Sequence, residues 1–138
     1  VQRVISSFIA GACFLASACA QAQGSFGSSF GTPELLPPEQ AFVVSQPEAD
    51  VIVITIAEGT YLYDERTMVQ NDSGDILKTQ RSESTMYDDP LFGPTPIHKK
   101  ALRMKVSEAP NLMVLTYQGC ADIGFCYPPQ QTELSFSR

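Results

Sequence analysis

Two cysteines, Cys120 and Cys126, are the residues of this chain best suited to chemistry. Five residues separate them, and glycines, aromatic residues and a Pro-Pro pair surround them in the segment Tyr117–Pro129. Two further cysteines, Cys13 and Cys19, lie in an N-terminal segment with the features of a signal peptide. Without that segment, the whole thiol content of the chain is one closely spaced pair. Such a pair either forms a structural disulfide or takes part in thiol–disulfide exchange.

The spacing of the pair requires the chain to reverse between the two cysteines. A disulfide would bring their Cα atoms within about 4.4–6.8 Å of each other. Gly119 and Gly124 supply the backbone freedom for that reversal, and Pro128-Pro129 prevents an immediate return to a central strand. A disulfide that closes so small a ring stabilises a fold by only about 2–3 kcal/mol, which makes it a weak structural link. The spacing by itself leaves the structural and the exchange interpretation open.

Other kinds of chemistry have weaker support. A zinc site would lack a fourth ligand beyond the two cysteines and the single histidine, His98, which we interpret as a surface or strand-edge residue. The C-x5-C spacing also differs from the C-x-x-C of thioredoxin-like proteins, where a helix start lowers the pKa of a thiol. The charged pairs Asp88-Asp89 and Lys99-Lys100 are interpreted as solvated loop residues.

The first 22 residues have the three parts of a signal peptide. Arg3 supplies a positive charge, the apolar run Val4–Ala18 is too short to span a bilayer, and Ala20-Gln21-Ala22 resembles a cleavage site. We expect a mature chain that starts near Gln23, without a membrane span, in the periplasm. Lipidation at Cys19 is the alternative, although the leucine upstream lies one position too far away for a good lipidation signal.

The charge of the mature chain excludes two classes of partner. Fifteen acidic residues remain against eight basic ones once Arg3 is removed. No basic stripe is present to neutralise phosphates, so nucleic acid and anionic lipid surfaces are unsuitable partners. The composition is typical of a monomeric exported domain in an oxidising compartment.

The rest of the mature chain predicts a flexible leader over residues 23–38 and a globular domain over residues 39–138. Prolines exclude a helix from Pro33–Pro38. The predicted strands are Gln40–Ser45, Asp50–Ala57, Thr60–Asp64, Arg66–Gln70, Ile76–Thr79, Lys100–Val106, Leu112–Gln118 and Thr132–Ser137. Short strands without a long helical pattern predict an all-β, immunoglobulin-like antiparallel β-sandwich.

Three segments add detail to this prediction. Leu102, Met104 and Val106 alternate with charged residues and should share one buried face. Asn71–Asp75 predicts a turn. Ser82–Pro96 contains three prolines and is too long for a hairpin turn, so we expect a long functional loop there.

Four segments resemble, in order, the N-terminal periplasmic domain of the thiol:disulfide interchange protein DsbD. The most specific is the cysteine motif YQGCADIGFCYPP at Tyr117–Pro129. Pro38–Phe42, Gly59–Tyr63 and Asp89–Gly93 resemble the start of the family's first strand, its Gly-Tyr-Tyr-Leu-Tyr stretch and its cap loop. The resemblance covers Pro38 to Arg138, nearly all of the mature chain.

The resemblance implies a fold and an activity. The fold would be an immunoglobulin-like sandwich with the cysteine pair on an inserted hairpin. The activity would be that of a protein-disulfide reductase without metal or organic cofactor. It would accept electrons from a thioredoxin-like domain and reduce isomerases of the DsbC and DsbG kind and the thioredoxin CcmG. Cys126 would form the mixed disulfide with partners, and Cys120 would complete or resolve it.

The resemblance also implies a cap over the cysteines. Its residues would be Asp89, Pro90, Leu91, Phe92 and Gly93. Phe92 or Leu91 would lie over the disulfide and restrict it to cognate partners, although a proline and a leucine replace residues that the family usually has polar or aromatic. The alternative is a hydrophobic loop packed permanently on the core.

Five more residues are candidates for the surroundings of the site. Tyr61 and Tyr63 alternate along a strand and so share a face, which the resemblance places near the cysteines; ordinary core packing is the alternative. Asp122, Phe125 and Tyr127 lie beside the cysteines in sequence, and the last two would shape a docking surface around Cys126.

Two other functions remain open: an exported binding module with a structural disulfide, and a domain whose disulfide only stiffens a hairpin. Whether the chain belongs to a longer protein also remains open.

Overall fold

A computed structural model describes residues 34–136 of the chain. The predicted signal peptide and most of the leader lie outside these residues. The elements are α1 Pro38–Ala41, β1 Phe42–Glu48, β2 Val51–Ile56, β3 Thr60–Tyr63, β4 Met68–Gln70, β5 Thr79–Arg81, β6 Thr85–Asp89, β7 Gly93–His98, β8 Ala101–Val106, β9 Leu112–Tyr117, β10 Gly119–Ala121, β11 Phe125–Cys126 and β12 Gln130–Ser135. Within residues 34–136, no helix is long and apolar enough to cross a bilayer.

The strands form an immunoglobulin-like β-sandwich with antiparallel pairing throughout, as predicted. One sheet has the order β1-β2-β8-β5. The second has the order β11-β10-β3-β7-β6, and the third has the order β12-β9-β4. Only Gln118 separates β9 from β10, so the third sheet continues directly into the second.

The core lies between these sheets and follows from the alternation of the strands. Leu102 and Met104 in β8 are fully buried and Val106 nearly so, which confirms the predicted face. Their neighbours in the core include Ile52 and Ile54 of β2 and residues of β9. Burial of a large aliphatic side chain contributes about 1.5–3 kcal/mol. Leu62 of β3 belongs to the same cluster, so this core joins the second sheet to the other two.

The structure corrects two of the predicted element positions. Ile76–Thr79 was expected to be a strand, but Ile76 is exposed and forms only an isolated bridge with Gln70, while β5 begins at Thr79. Pro38 begins a helical turn, so the exclusion of helix from its position was wrong. Proline is tolerated at the first position of a helix, where no N–H bond is needed.

The largest correction concerns Ser82–Pro96, which forms the hairpin β6–β7 and not a long loop. Pro94 and Pro96 lie two residues apart in β7, so both missing N–H groups point to the same side of the strand. The N–H groups of Thr95 and Ile97, on the other side, remain free to pair with β6. Proline therefore did not exclude a strand here. The hairpin leaves only three residues, Pro90 to Phe92, in its connecting turn.

His98 is also placed differently from the prediction. It is only 3% exposed and lies in β7, between β3 and β6. Its Nε2 lies 2.8 Å from Oδ1 of Asp64. Arg81 donates to the backbone oxygen of the same residue at 2.6 Å. The interpretation of His98 as a surface or strand-edge residue was wrong, since the residue is buried in a central strand. The sequence did not indicate this because its partner Asp64 follows β3 and is remote in sequence.

Candidate active site

Cys120 and Cys126 lie directly opposite each other on β10 and β11 and form a disulfide. Their Cα atoms are 3.9 Å apart, closer than the separation expected from the sequence. Tyr127 donates its N–H to Gly119 O at 3.0 Å on one side of the pair. This bond makes the cysteines a non-hydrogen-bonded pair of the antiparallel ladder, the position at which Cα atoms approach most closely.

Two glycines make the hairpin possible. Gly124 has φ +93° in the turn between β10 and β11, a conformation that other residues rarely adopt. Gly119 lies against β3, and a Cβ atom there would collide with the carbonyl oxygen of Tyr61 and the ring of Phe42. The absence of a side chain at Gly119 is therefore what lets the hairpin pair closely with β3.

Tyr61 and Tyr63 of β3 share a face, as predicted, and that face is turned toward the disulfide. Their rings meet edge to face with centroids 5.6 Å apart. The hydroxyl of Tyr63 lies 3.1 Å from Sγ of Cys120. Both hydroxyls also donate to Oδ2 of Asp89, Tyr61 at 2.9 Å and Tyr63 at 2.7 Å. The structure thus brings together a sulfur, two phenols and a carboxylate that are distant in sequence.

Asp89 is the site residue at which the structure differs most from the prediction. It was expected to be a solvated loop charge, but it ends β6 and is only 3% exposed. Burial by itself raises the pKa of Asp89, yet hydrogen bonds from Tyr63, the N–H of Leu91, Tyr61 and the N–H of Phe92 outweigh it. The net effect holds the pKa of the carboxyl below its usual range, so Asp89 is an anion at neutral pH.

The two phenols are kept neutral by the same surroundings. Burial raises the pKa of Tyr63 to about 12, and the hydrogen bond to Asp89 acts in the same direction. Burial raises the pKa of Tyr61 further above its usual value, with contributions from Tyr63 and Asp89. Both hydroxyls therefore remain hydrogen-bond donors at neutral pH, and the one on Tyr63 is within reach of a sulfur.

The turn after Asp89 forms the segment predicted as a cap. Oδ1 of Asp89 accepts the backbone N–H of Leu91 at 2.8 Å and of Phe92 at 3.1 Å, and Gly93 closes the turn with φ +70°. Leu91 is 70% exposed and Phe92 is 49% exposed. The Phe92 ring packs edge to face on Tyr63, with centroids 5.6 Å apart. The same carboxylate thus holds both the two phenols and the cap.

The two sulfur-bearing residues differ in exposure. Cys120 is fully buried, whereas Cys126 is half-buried. A small cavity of about 120 Å³ separates the cap from the hairpin turn. Its lining is formed by Tyr61, Asp89, Pro90, Leu91, Gly124 and Cys126. The cap residues that line this cavity together with Cys126 are thus Asp89, Pro90 and Leu91, while Phe92 lies against Tyr63. Which of them limits access to the sulfurs stays a prediction.

The remaining candidates are dispersed. Phe125 is exposed beside Cys126. Tyr127 is only 2% exposed, packs on Phe42 and donates its hydroxyl to Leu36 O at 2.7 Å, so the expectation that it shapes a docking surface was wrong. The side chain of Asp122 is exposed and lines a separate cavity with Lys99 and other residues.

Two residues near the site were missed by the sequence analysis, Arg66 and Gln118. Arg66 lies over the rings of Phe92 and Tyr63 and donates to the side chain of Gln118 at 2.8 Å. Gln118 was visible as part of the cysteine motif, which was a usable signal. Nothing local distinguishes Arg66, because its partners lie in other elements of the chain.

The fold and the site define an immunoglobulin-like domain with a cross-strand disulfide on an edge hairpin beneath a second, capping hairpin. Residues 32–137 match the family described as "Thiol:disulfide interchange protein DsbD, N-terminal". The chain belongs to this family. Its relatives carry out thiol–disulfide exchange in the broad sense of that name.

Individual relatives support the same assignment. The chain is 37% identical over 113 residues to DsbD of Neisseria meningitidis, which covers 75% of this chain and 19% of that protein. It is 30% identical over 114 residues to DsbD of Escherichia coli K12, which covers 78% of this chain and 20% of that protein. The chain thus spans about a fifth of the length of the curated relatives that it matches.

Solved structures agree with the fold. The crystal structure of the reduced N-terminal domain of Neisseria meningitidis DsbD matches with a TM-score of 0.66 at 34% identity, over 75% of this chain and 90% of that one. A DsbD N-terminal domain in complex with the PilB N-terminal domain, also from Neisseria meningitidis, matches with a TM-score of 0.60 at 32% identity, over 74% and 87% of the two chains.

Proposed function

We propose that this domain is a periplasmic protein-disulfide reductase that works through a reversible Cys120–Cys126 disulfide. It accepts electrons from a thioredoxin-like domain and passes them to thioredoxin-fold partners. The observation that carries the proposal is the unequal exposure of the two cysteines within one disulfide, with a hydrogen-bond donor beside the buried one. Membership in a thiol:disulfide interchange family supports it.

Sγ of Cys126 is the atom that an incoming thiolate attacks. Thiol–disulfide exchange needs access to one sulfur, and Cys126 is the half-buried member of the pair. The thiolate of the donor forms a bond to Sγ of Cys126 as the bond between the two sulfurs of the pair breaks. The electron pair of the broken bond moves to Sγ of Cys120. The product is a mixed disulfide between the donor and Cys126.

Cys120 is the leaving group of that step, and Tyr63 stabilises it. The neutral hydroxyl of Tyr63 lies 3.1 Å from Sγ of Cys120, so it can donate to the thiolate as it forms. The second thiolate of the donor then attacks the donor sulfur that is bonded to Cys126. This forms the donor disulfide and releases Cys126 as a thiolate. The donor dithiol becomes a disulfide, and this domain gains two electrons and, after protonation, two protons.

The reduced domain carries out the reverse chemistry on its acceptors. The thiolate of Cys126 attacks the disulfide of a partner, and Cys120 attacks Cys126 to release the reduced partner. We propose acceptors of the thioredoxin fold, namely isomerases of the DsbC and DsbG kind and a CcmG-like thioredoxin. The complex of a related DsbD N-terminal domain with a PilB N-terminal domain supports a protein partner at this kind of domain.

Export through a signal peptide over residues 1–22 belongs to the same proposal. The predicted peptide ends before the globular domain, and a disulfide of this kind needs an oxidising compartment to form. The acidic mature chain agrees with an exported domain that does not bind anionic lipid.

The decisive experiment traps the mixed disulfide. A Cys120→Ser variant leaves Cys126 free and unable to be resolved from within. It is mixed with a DsbC- or CcmG-like protein that keeps one cysteine, activated as its thionitrobenzoate disulfide. We expect release of thionitrobenzoate and a covalent complex on a non-reducing gel. The Cys120→Ser/Cys126→Ser variant is the matched control and should form no complex.

The passive alternatives make the opposite prediction. A binding module or a hairpin with a structural disulfide would give no Cys126-dependent complex with any thioredoxin-fold partner, although circular dichroism shows the variant folded. Reciprocal replacement of Cys126 alone gives a second test. If Cys120 in the Cys126→Ser variant forms the complex equally fast, the assignment of Cys126 as the attacking residue is wrong.

A further inference from the structure

We propose that Arg66 is a positioning residue that holds the cap closed over the disulfide through the ring of Phe92. The inference rests on the proposed function, because a closed cap matters only if the disulfide reacts. Arg66 is an exposed residue in the turn between β3 and β4. It belongs neither to the cap hairpin nor to the cysteine hairpin, but its side chain reaches both.

The contact with the cap is a cation–π interaction. Cζ of Arg66 lies 4.1 Å from the ring centroid of Phe92 and 5.5 Å from that of Tyr63. Both distances are within the about 6 Å over which a guanidinium is attracted to an aromatic face. The two rings meet edge to face. The guanidinium thus joins the exposed ring of the cap to the ring whose hydroxyl contacts Cys120.

The guanidinium is itself anchored on the cysteine side of the site. Nη1 of Arg66 donates to Oε1 of Gln118 at 2.8 Å. Nε2 of Gln118 donates in turn to the backbone oxygen of Tyr127 at 3.1 Å. Gln118 precedes β10 and Tyr127 follows β11, so both anchors flank the hairpin that carries the disulfide. A movement of Phe92 away from the hairpin must therefore break its contact with a fixed cation.

The charge of Arg66 is available for this contact. Among residues 34–136, no carboxylate lies within ion-pair distance of its guanidinium. The side chain of Phe92 is half exposed, and besides Arg66 its ring contacts the edge of Tyr63, while its backbone N–H donates to Oδ1 of Asp89. The cation–π contact between Arg66 and Phe92, called the latch below, is thus a main restraint on the Phe92 side chain.

The test measures access of a small reductant to the disulfide. Arg66→Gln removes the cation, and Arg103→Gln is the matched control because it removes the same charge from β8, in the sheet that does not carry the site. Reduction by dithiothreitol is followed by alkylation and mass spectrometry. We expect Arg66→Gln to accelerate reduction by about two- to fivefold, the range that corresponds to an exposed cation–π contact. Arg103→Gln should react at the wild-type rate.

The direction of the effect separates the latch from simple electrostatics. Removal of a positive charge near the sulfurs would slow the attack of an anionic thiolate, whereas loss of the latch accelerates it. A wild-type or slower rate for Arg66→Gln, in a variant with an unchanged thermal midpoint, would overturn the proposal.

A double-mutant cycle identifies Phe92 as the partner. In a Phe92→Leu background, which keeps an apolar side chain without a ring, Arg66→Gln should give no further acceleration. Equal acceleration in both backgrounds would contradict a latch through this ring. The assay uses no protein partner. Failure of the trapping experiment would therefore reject the proposed function and leave this measurement interpretable on its own.

Discussion

The hydroxyl of Tyr63 lies 3.1 Å from Sγ of Cys120 and donates at 2.7 Å to the carboxylate of Asp89. A phenol has a single proton, so it cannot donate to both atoms at once. In the disulfide state the carboxylate is the stronger acceptor. In the proposed reaction Cys120 leaves as a thiolate, so a second anion would then compete for the same proton, and the hydrogen bond could shift without movement of the ring. The site is therefore arranged to receive negative charge on the buried sulfur.

Tyr63→Phe should slow reduction of the disulfide. The variant removes the donor beside the leaving thiolate, and hydrogen bonds to charged groups contribute about 1.5–3 kcal/mol, which corresponds to a ten- to hundredfold change in rate. The rate constant with dithiothreitol is the measurement.

Tyr61→Phe provides the matched control for this prediction. It removes a donor to the same carboxylate without removing the contact with the sulfur. We expect a similar loss of stability in both variants but a much smaller loss of rate for Tyr61→Phe. Equal rates for the two variants would show that the contact between the Tyr63 hydroxyl and the sulfur does not assist the reaction.

The buried carboxylate of Asp89 should make stability depend on pH. Its pKa is lower in the folded state than in the unfolded chain, so ionised Asp89 favours folding above about pH 4, the unfolded value. That contribution is lost as the pH falls from there through the folded pKa. Urea unfolding of Asp89→Asn should show lower stability at neutral pH and a weaker fall in acid. Asp88→Asn removes an exposed neighbouring charge and serves as the control.

Removal of the cap side chains should expose the disulfide. Leu91→Ala/Phe92→Ala deletes both exposed apolar groups and the edge contact with Tyr63, which is worth about 0.5–1.5 kcal/mol. Reduction by small thiols should accelerate about two- to tenfold. Val43→Ala shortens an equally exposed residue of β1 and should leave the rate unchanged. An unchanged rate in the double variant would refute shielding by these two residues.

The fold class could be predicted because its signals are local. Alternation in β8, the β-branched run of β2 and the turn at Asn71, whose Oδ1 accepts the N–H of Ser73 and Asp75, each depend on neighbouring residues. The hairpin β6–β7 was missed because proline normally argues against a strand. The compatibility of Pro94 and Pro96 with pairing depends on which side of β7 each one faces, and that follows only from the register.

The cysteine motif, the tyrosines of β3 and the cap segment were predicted as parts of the site, but the hydrogen bonds that join them were not. Asp89 stands beside an acid and a proline and looks solvated, but its burial depends on Tyr61 and Tyr63, which are 28 and 26 residues away. His98 and Asp64 are 34 residues apart. Such contacts leave no local pattern in the sequence, so the hydrogen bonds of Asp89 with Tyr61 and Tyr63 could not be derived from residue spacing.

Gly119 should be the least tolerant position of the cysteine hairpin. A Cβ atom there would collide with the backbone of β3 at Tyr61 and with the buried ring of Phe42, neither of which can move without disturbing the core. Overpacking of this kind typically costs about 1–3 kcal/mol, and more where backbone must shift, so we expect Gly119→Ala to lose about 3 kcal/mol or more in urea unfolding. Gly124→Ala is the comparison, because its Cβ would meet no atom within 4 Å and only its φ is unfavourable. That variant should lose about 1–2 kcal/mol. Equal losses would show that the hairpin can move away from β3, and the close approach of Cys120 to Tyr63 would then not be enforced by Gly119.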